Sequence, residues 1–289
     1  MVKALINISR PKQWIKNIFV FVGVFFSHSF SNIELLKDSL WIFVAFICAS
    51  IAVYSLNDIV DIEKDKVHPK KKLRPLPSGA LSKEVAGLFC VFCACAALII
   101  SFKVSVVACV ITGTYMILNI AYSFFLKSVV IIDVMVIAFG FLLRVFSGTY
   151  GLEIPPSSWL LICSLSLTLF LGFNKRYSEF CSQPNDKSSS RPVLEKYDRK
   201  ILEHAVTICS TLSLMSYALY TLDQQTIEKF GSDYLFFTFI PVFYCIMRYQ
   251  LIVERGSGGQ DPSSIVLTDK GILLGGISWL AMYILLKTI

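Results

Sequence analysis

Long runs almost free of charge recur from one end of the sequence to the other, and nothing else in it restricts the fold as much. They lie near residues 18–30, 40–56, 85–102, 104–126, 129–150, 159–173, 201–222, 234–247 and 271–286. A helix crosses about 30 Å of hydrocarbon with about 20 apolar residues. Membrane barrel strands are about ten residues long and alternate lipid-facing with lumen-facing side chains, whereas these runs are continuously apolar. The expectation is an all-α membrane protein of about nine transmembrane helices, a single polytopic domain over residues 1–289. Only 16% of the residues are charged, against roughly 25% in an ordinary soluble domain. That shortfall excludes a disordered chain and a nucleic-acid-binding protein. The first run has a basic lead-in, as a signal peptide would, but Arg10-Pro11-Lys12-Gln13-Trp14 is long for one and no small-x-small site follows before Ser27-His28. It reads as a retained first span.

Eight of the nine cysteines sit inside apolar runs. Cys90-x-x-Cys93-x-Cys95 has no histidine or second cysteine pair beside it, so buried reduced thiols are expected rather than a zinc site. His28 and His204 stand alone and read as interfacial residues.

Distributing the charge sets an orientation. With the N-terminus inside and alternating spans, 22 of the 27 basic residues fall on one side and Lys37, Lys103, Lys229 and Lys287 on the other, with Arg144 inside a span. The bias of Lys and Arg toward cytoplasmic loops predicts a cytoplasmic N-terminus in the inner membrane. The two long polar loops, about 58–83 and 174–200, then share the cytoplasmic face, and a site is expected to open there.

The second run ends in Tyr54-Ser55-Leu56-Asn57-Asp58-Ile59-Val60-Asp61-Ile62-Glu63-Lys64-Asp65. At 100° per residue, a continuing helix puts Asn57, Asp58, Asp61 and Asp65 within an arc of about 100° and sends Glu63 to the opposite side. Carboxylates at that depth are costly unless functional. A rise of about 1.5 Å per residue separates Asp58 from Asp65 by about 10 Å, which predicts two Mg²⁺ ions, or one with water-mediated contacts, bridging to a diphosphate. Hard oxygen ligands favour Mg²⁺ over zinc or copper. Lys70, Lys72 and Arg74 follow at once and are strong phosphate partners. Taken alone, that basic run also fits positive-inside anchoring.

The spacing Asn57-Asp58-x-x-Asp61-x-x-x-Asp65 at the cytoplasmic end of a second span resembles the first aspartate-rich motif of the UbiA-type intramembrane prenyltransferase superfamily. The resemblance implies nine helices around a central cavity open to the cytoplasm and a diphosphate substrate held through Mg²⁺. Typical members repeat an Asp-x-x-x-Asp motif in the second large loop. Here the matching place reads Asn174-Lys175-Arg176-Tyr177-Ser178-Glu179, two cations and one acid. On a helix Lys175 and Glu179 are four apart and Arg176 and Glu179 three apart, so one turn can present all three. Such a turn suits a substrate with more phosphate and less need of a second metal cluster.

With this departure, the segment Arg10–Asn17, the pairs His68-Pro69 and Arg74-Pro75, Lys175-Arg176-Tyr177-x-Glu179 and the late segment Arg248-Tyr249 … Gly258-Gly259-x-Asp261-Pro262 … Asp269 together resemble the decaprenyl-phosphate phosphoribosyltransferase subfamily. That resemblance implies transfer of 5-phosphoribose from phosphoribosyl diphosphate to a polyprenyl phosphate, with a place in cell-envelope biogenesis. Asn57, Asp58, Asp61 and Asp65 would hold the metal at the leaving diphosphate. Lys175, Arg176 or the 70–74 run would take the 5-phosphate, and Asp58, Asp61, Lys175, Arg176 and Glu179 would carry the chemistry. A lipid phosphate is already ionised near neutral pH, so no general base is nominated.

Lys12, Lys16 and Lys127 can meet a lipid or sugar phosphate at the inner interface or serve as anchors that snorkel. Tyr54 reads as a pocket-lining ring or an ordinary interfacial aromatic. Arg144, eleven residues after Asp133 in the fifth run, either binds substrate or ties helices together. The stretch 182–191 has linker composition and is expected to form a lid or loop tip. Two other functions stay open: a conventional prenyltransferase acting on an aromatic acceptor, against which the missing second aspartate motif argues, and a lipid or anion transporter, for which related halves would be expected and no clear internal repeat is visible.

Overall fold

The computed structural model describes residues 1–27, 32–68, 71–182, 193–256 and 262–288. His28, Lys70, the stretch 183–191 and the glycines of the late segment lie outside them. The described residues are helices and their connections, arranged in two compact units, Met1–Pro156 and Ser157–Ile289.

The first unit runs α1 (Val2–Ser9), a 3₁₀ segment (Pro11–Phe21), α2 (Val22–Phe26), α3 (Ile33–Val60), α4 (Ile62–Val67), α5 (Lys83–Val104), α6 (Val106–Phe124) and α7 (Ile132–Ser147). The second runs α8 (Ser158–Cys181), α9 (Arg199–Leu222), α10 (Gln224–Phe230), α11 (Phe239–Glu254), α12 (Pro262–Thr268) and α13 (Lys270–Thr288). Helices begin where a short polar side chain takes up the free N–H groups of the first turn. Asn32 accepts from Glu34 and Leu35, Ser82 from Val85, Ser105 from Ala108, Ser157 from Leu160 and Asp198 from Lys200. Each of these residues opens the helix that carries an apolar run.

Seven helices among the described residues are long and apolar enough to cross a membrane, and Lys270–Leu286 is a shorter apolar helix. The nine expected runs therefore become seven long helices, one shorter helix and a first run divided between the 3₁₀ segment and α2. That first run packs on protein, burying Asn17, Val20 and Val24. Its approach to α7 is backbone against backbone: a Cβ on Gly148 would lie 1.7 Å from the Val20 carbonyl oxygen, and one on Gly23 would lie 2.0 Å from that of Gly148. Val20, Val24, Phe46, Ala49, Tyr115 and Leu143 belong to the buried apolar cluster of this unit. Leu88, Phe92, Ile99, Val110 and Ile117 on α5 and α6 are exposed instead, as hydrocarbon-facing side chains should be. All nine cysteines are free, but the burial expected of them holds only for Cys93 and Cys209: Cys95 and Cys181 are exposed and the other five are half-buried.

Candidate active site

The aspartates lie at the end of α3 and in α4. Helical hydrogen bonding carries through the turn at Asp61, whose N–H donates to Asn57 O (3.0 Å) and whose carbonyl accepts from the Asp65 N–H (2.8 Å). Asp58 and Asp65 are both 2% exposed. Carboxylates so placed need compensating charge, and residues 71–74 supply it. One nitrogen, Nη1 of Arg74, donates to Asp58 Oδ1 at 3.1 Å and to Asp65 Oδ2 at 2.6 Å. Lys71 Nζ stands 3.8 Å from Asp65 Oδ1. The expected separation of about 10 Å measured the helix axis, whereas side chains two turns apart lean toward a common cation, and both carboxylates meet at one point charge. Asp61 turns elsewhere and accepts from Lys127 Nζ at 2.7 Å, on the connection between α6 and α7. Glu63 points outward, as its helical position requires, and pairs with Lys66.

Residues 71–82 are held by apolar packing. Leu76 and Leu81 are buried with Ala4 and Ile8 of α1 and Ala86 of α5, and the Leu81 N–H donates to Pro75 O (3.0 Å). That anchoring carries Arg74 over the aspartates. A second guanidinium comes from Arg10, which ends α1 in the left-handed region at φ 49° and precedes Pro11. Its Nη2 donates to Asp58 Oδ1, and its guanidinium carbon lies 5.0 Å from the Tyr54 ring centroid. The Trp14 indole N–H donates to Ser9 O (2.9 Å) and braces the same turn. Sequence reasoning placed Arg10 within a motif without giving it a role. The available signal was an arginine before proline, where the chain leaves the helix.

Of the other predicted residues in this unit, Lys16 is half-buried, and Lys12 and Lys72 are exposed with no ion pair to the three aspartates among the described residues. Arg144 is 4% exposed in α7. Its Nε donates to Asn17 Oδ1 (2.7 Å), Nη1 to Gly140 O (2.8 Å), and Nη2 to the Tyr115 hydroxyl (2.9 Å) and to Ser50 Oγ (3.4 Å). The guanidinium also lies 4.6 Å from the Tyr115 ring centroid. Every one of these partners is neutral. Asn17, Ser50 and Tyr115 come from three other elements and were not anticipated, because each lies in a stretch where its polar atoms have no periodic pattern.

In the second unit, Arg176 is 1% exposed, and its Nη1 donates to Glu179 Oε2 at 2.6 Å, the i,i+3 pair expected on α8. Lys175 is half-buried on the same turn. Tyr177 donates to Glu254 of α11 (3.4 Å) and accepts from Arg199 of α9 (3.4 Å), so this end of α8 is tied to two neighbours. Arg248 and Asp269 form a two-pronged pair at 3.1 and 2.9 Å, beside a cleft of about 320 Å³ whose lining includes Arg255 and Ile265. Asp269 also accepts from the Ile272 N–H (2.9 Å), which starts α13. Its hydrogen bond to Arg248, helped by this backbone donor, holds its carboxyl below the usual carboxylate range.

The chain is an integral membrane transferase: it belongs to the UbiA prenyltransferase family, whose model matches residues 17–266. It is 31% identical to the decaprenyl-phosphate phosphoribosyltransferase of Corynebacterium glutamicum, over 99% of this chain and 87% of that protein. Identity to the enzyme of that name from Mycolicibacterium smegmatis is 29%, over 97% of this chain and 91% of the relative. The fold is similar to that of a UbiA homologue from Archaeoglobus fulgidus bound to GPP and Mg²⁺, with a TM-score of 0.74, 15% identity and coverage of 99% and 100% of the two chains.

Proposed function

We infer that this protein transfers 5-phosphoribose from phosphoribosyl diphosphate to a polyprenyl phosphate, with Mg²⁺, at the cytoplasmic face of the inner membrane. The observation that carries the reading is the meeting of Asp58 and Asp65 at one cation position under Arg10, Arg74 and Lys71. Near-complete alignment with enzymes named for this activity supports it.

The donor set fits the metal. No group of three His, Cys, Asp or Glu side chains close enough to hold an ion is found among the described residues. Mg²⁺, however, is usually bound by one or two carboxylates plus substrate phosphates and water, and two carboxylates converging on one point charge meet that need. Asp58 and Asp65 would hold the ion, with Asn57 and Asp61 within a turn of them. Bound there, it would supply charge neutralisation for the departing diphosphate. Arg10, Arg74 and Lys71 are placed to take phosphate oxygens, with Tyr54 supporting the Arg10 guanidinium. Lys127 fixes Asp61. Lys175 and Arg176 are assigned to phosphate recognition from their charge and from their place in the second motif. In the reaction the bond between ribose C1 and the diphosphate oxygen breaks and one between C1 and the lipid phosphate oxygen forms, so alignment and electrostatics carry the catalysis.

The test is mass spectrometry of the lipid product. Purified protein given phosphoribosyl diphosphate, polyprenyl phosphate and Mg²⁺ is expected to make a lipid-linked phosphoribose. Failure to do so, with turnover of a prenyl diphosphate and an aromatic acceptor instead, reassigns the substrate pair.

A further inference from the structure

We propose that Arg10 and Arg74 are partner-exchange residues: they hold Asp58 and Asp65 until a divalent ion takes the carboxylates, and then pass to the phosphate oxygens of the donor, so that metal and diphosphate bind cooperatively. The inference rests on the proposed function above and adds to it a coupling between metal and diphosphate and a role for Arg10.

The arrangement is layered. The Asp58 and Asp65 side chains are each 3% exposed, whereas those of Arg10 and Arg74 are 26% and 29% exposed. The guanidiniums are the more exposed member of each pair, so an arriving phosphate meets them before the carboxylates. An ion ligated by Asp58 Oδ1 and Asp65 Oδ2 competes for those oxygens with Arg74 Nη1, which donates to both, and for Asp58 Oδ1 with Arg10 as well. A metal binding by itself would leave two guanidiniums without counter-charge. A diphosphate binding by itself would draw those guanidiniums off two buried carboxylates. Either event separates a charge pair, which is strongly unfavourable when one partner is buried. Bound together, metal and diphosphate give every charge a new partner. The exchange needs only side-chain rotation, because Leu76 and Leu81 anchor the 71–82 segment and Tyr54 offers Arg10 a ring face to pivot on. Reciprocity follows: whatever factor the diphosphate adds to metal affinity, the metal adds to diphosphate affinity.

The test uses the full chain in detergent, Mn²⁺ as an EPR-visible stand-in for Mg²⁺, and inorganic pyrophosphate as the anion. Arg74→Gln is expected to bind Mn²⁺ alone at least tenfold more tightly than the parent and, at saturating Mn²⁺, to retain pyrophosphate at least tenfold more weakly. Arg10→Gln moves both quantities in the same directions and supplies the test if the first variant does not fold. Arg74→Lys, which keeps the charge, moves both back toward the parent values. A merely structural arginine would lower both affinities together. Parent protein that binds Mn²⁺ while both glutamine variants bind it equally or more weakly overturns the exchange and leaves the metal-dependent function standing. Parent protein that binds neither Mn²⁺ nor pyrophosphate even when both are supplied together overturns both.

Discussion

Arg144→Lys separates a structural from a substrate-binding role for the buried arginine of α7. The substitution keeps the charge, so the cost of holding a cation in the bundle is largely common to both proteins, and the difference reports hydrogen-bond geometry. The guanidinium makes three short bonds in three directions, to Asn17 Oδ1 at 2.7 Å, Gly140 O at 2.8 Å and the Tyr115 hydroxyl at 2.9 Å. An ammonium on a shorter reach keeps one of them. Gly140 O retains its helical partner, and Ser50 Oγ, 3.3 Å from Asn17 Oδ1 and 3.4 Å from the Tyr115 hydroxyl, can satisfy part of what is stranded. That leaves one to two charge-assisted bonds at about 1.5–3 kcal/mol each, or about 1.5–6 kcal/mol in all. At roughly 2–4 °C per kcal/mol, unfolding should move down by at least about 3 °C. A thiol-reactive dye reads this directly, because Cys93 and Cys209 are free and buried and become reactive on unfolding. Turnover per folded molecule at low temperature should stay within a few-fold of the parent. An unfolding temperature within about 2 °C of the parent would refute the interhelix role worked out here. Preserved stability with collapsed turnover would instead put Arg144 against the substrate.

Asp58→Asn should abolish Mn²⁺ binding and cut product formation by more than about a hundredfold with a smaller effect on the unfolding temperature, since Arg74 keeps Asp65 at 2.6 Å; calorimetric metal titration and lipid mass spectrometry check the pair. Gly148→Ala should destabilise by about 3 kcal/mol or more, because its Cβ would collide with the backbone of Val20 at 1.7 Å. Gly87→Ala, with nothing within 4 Å of its Cβ, should be neutral or stabilising in the same dye assay. Asp269 is held below its ordinary range by Arg248, so its contribution is present at neutral pH and lost as pH falls through its depressed folded-state value. Protection of the amides at the start of α13, taken relative to the intrinsic exchange rate at each pH, should fall in that acid window, and Asp269→Asn should remove this acid step while leaving protection there low at all pH values.

Much was legible from sequence where one segment contains the whole cause. The apolar runs between 33 and 254 became helices long enough to span because a helix satisfies its own backbone and needs only length and greasiness. The i,i+3 pairing of Arg176 with Glu179 is a local consequence of helical pitch. The first run resisted this reading: it is divided at Val22 and lies against Gly148, a contact 128 positions distant from Val20 in sequence that no window can contain.

The candidate site divides in the same way. Residue type and spacing alone pointed to a hard-oxygen cluster of Asn57, Asp58, Asp61 and Asp65 at a span's end with cations close behind, because a carboxylate at that depth demands an explanation; the structure brings Asp58 and Asp65 to one cation and turns Asp61 to Lys127. Which cation serves which carboxylate was decided only by tertiary structure. Arg10 reaches Asp58 across 48 residues and Lys127 reaches Asp61 across 66, while Lys12 and Lys72, equally basic and equally near in sequence, stay exposed. Charge is written into a side chain, but partnership is set by where Leu76, Leu81 and the turn at Arg10 carry that side chain, and packing of that kind exists only once the helices have met.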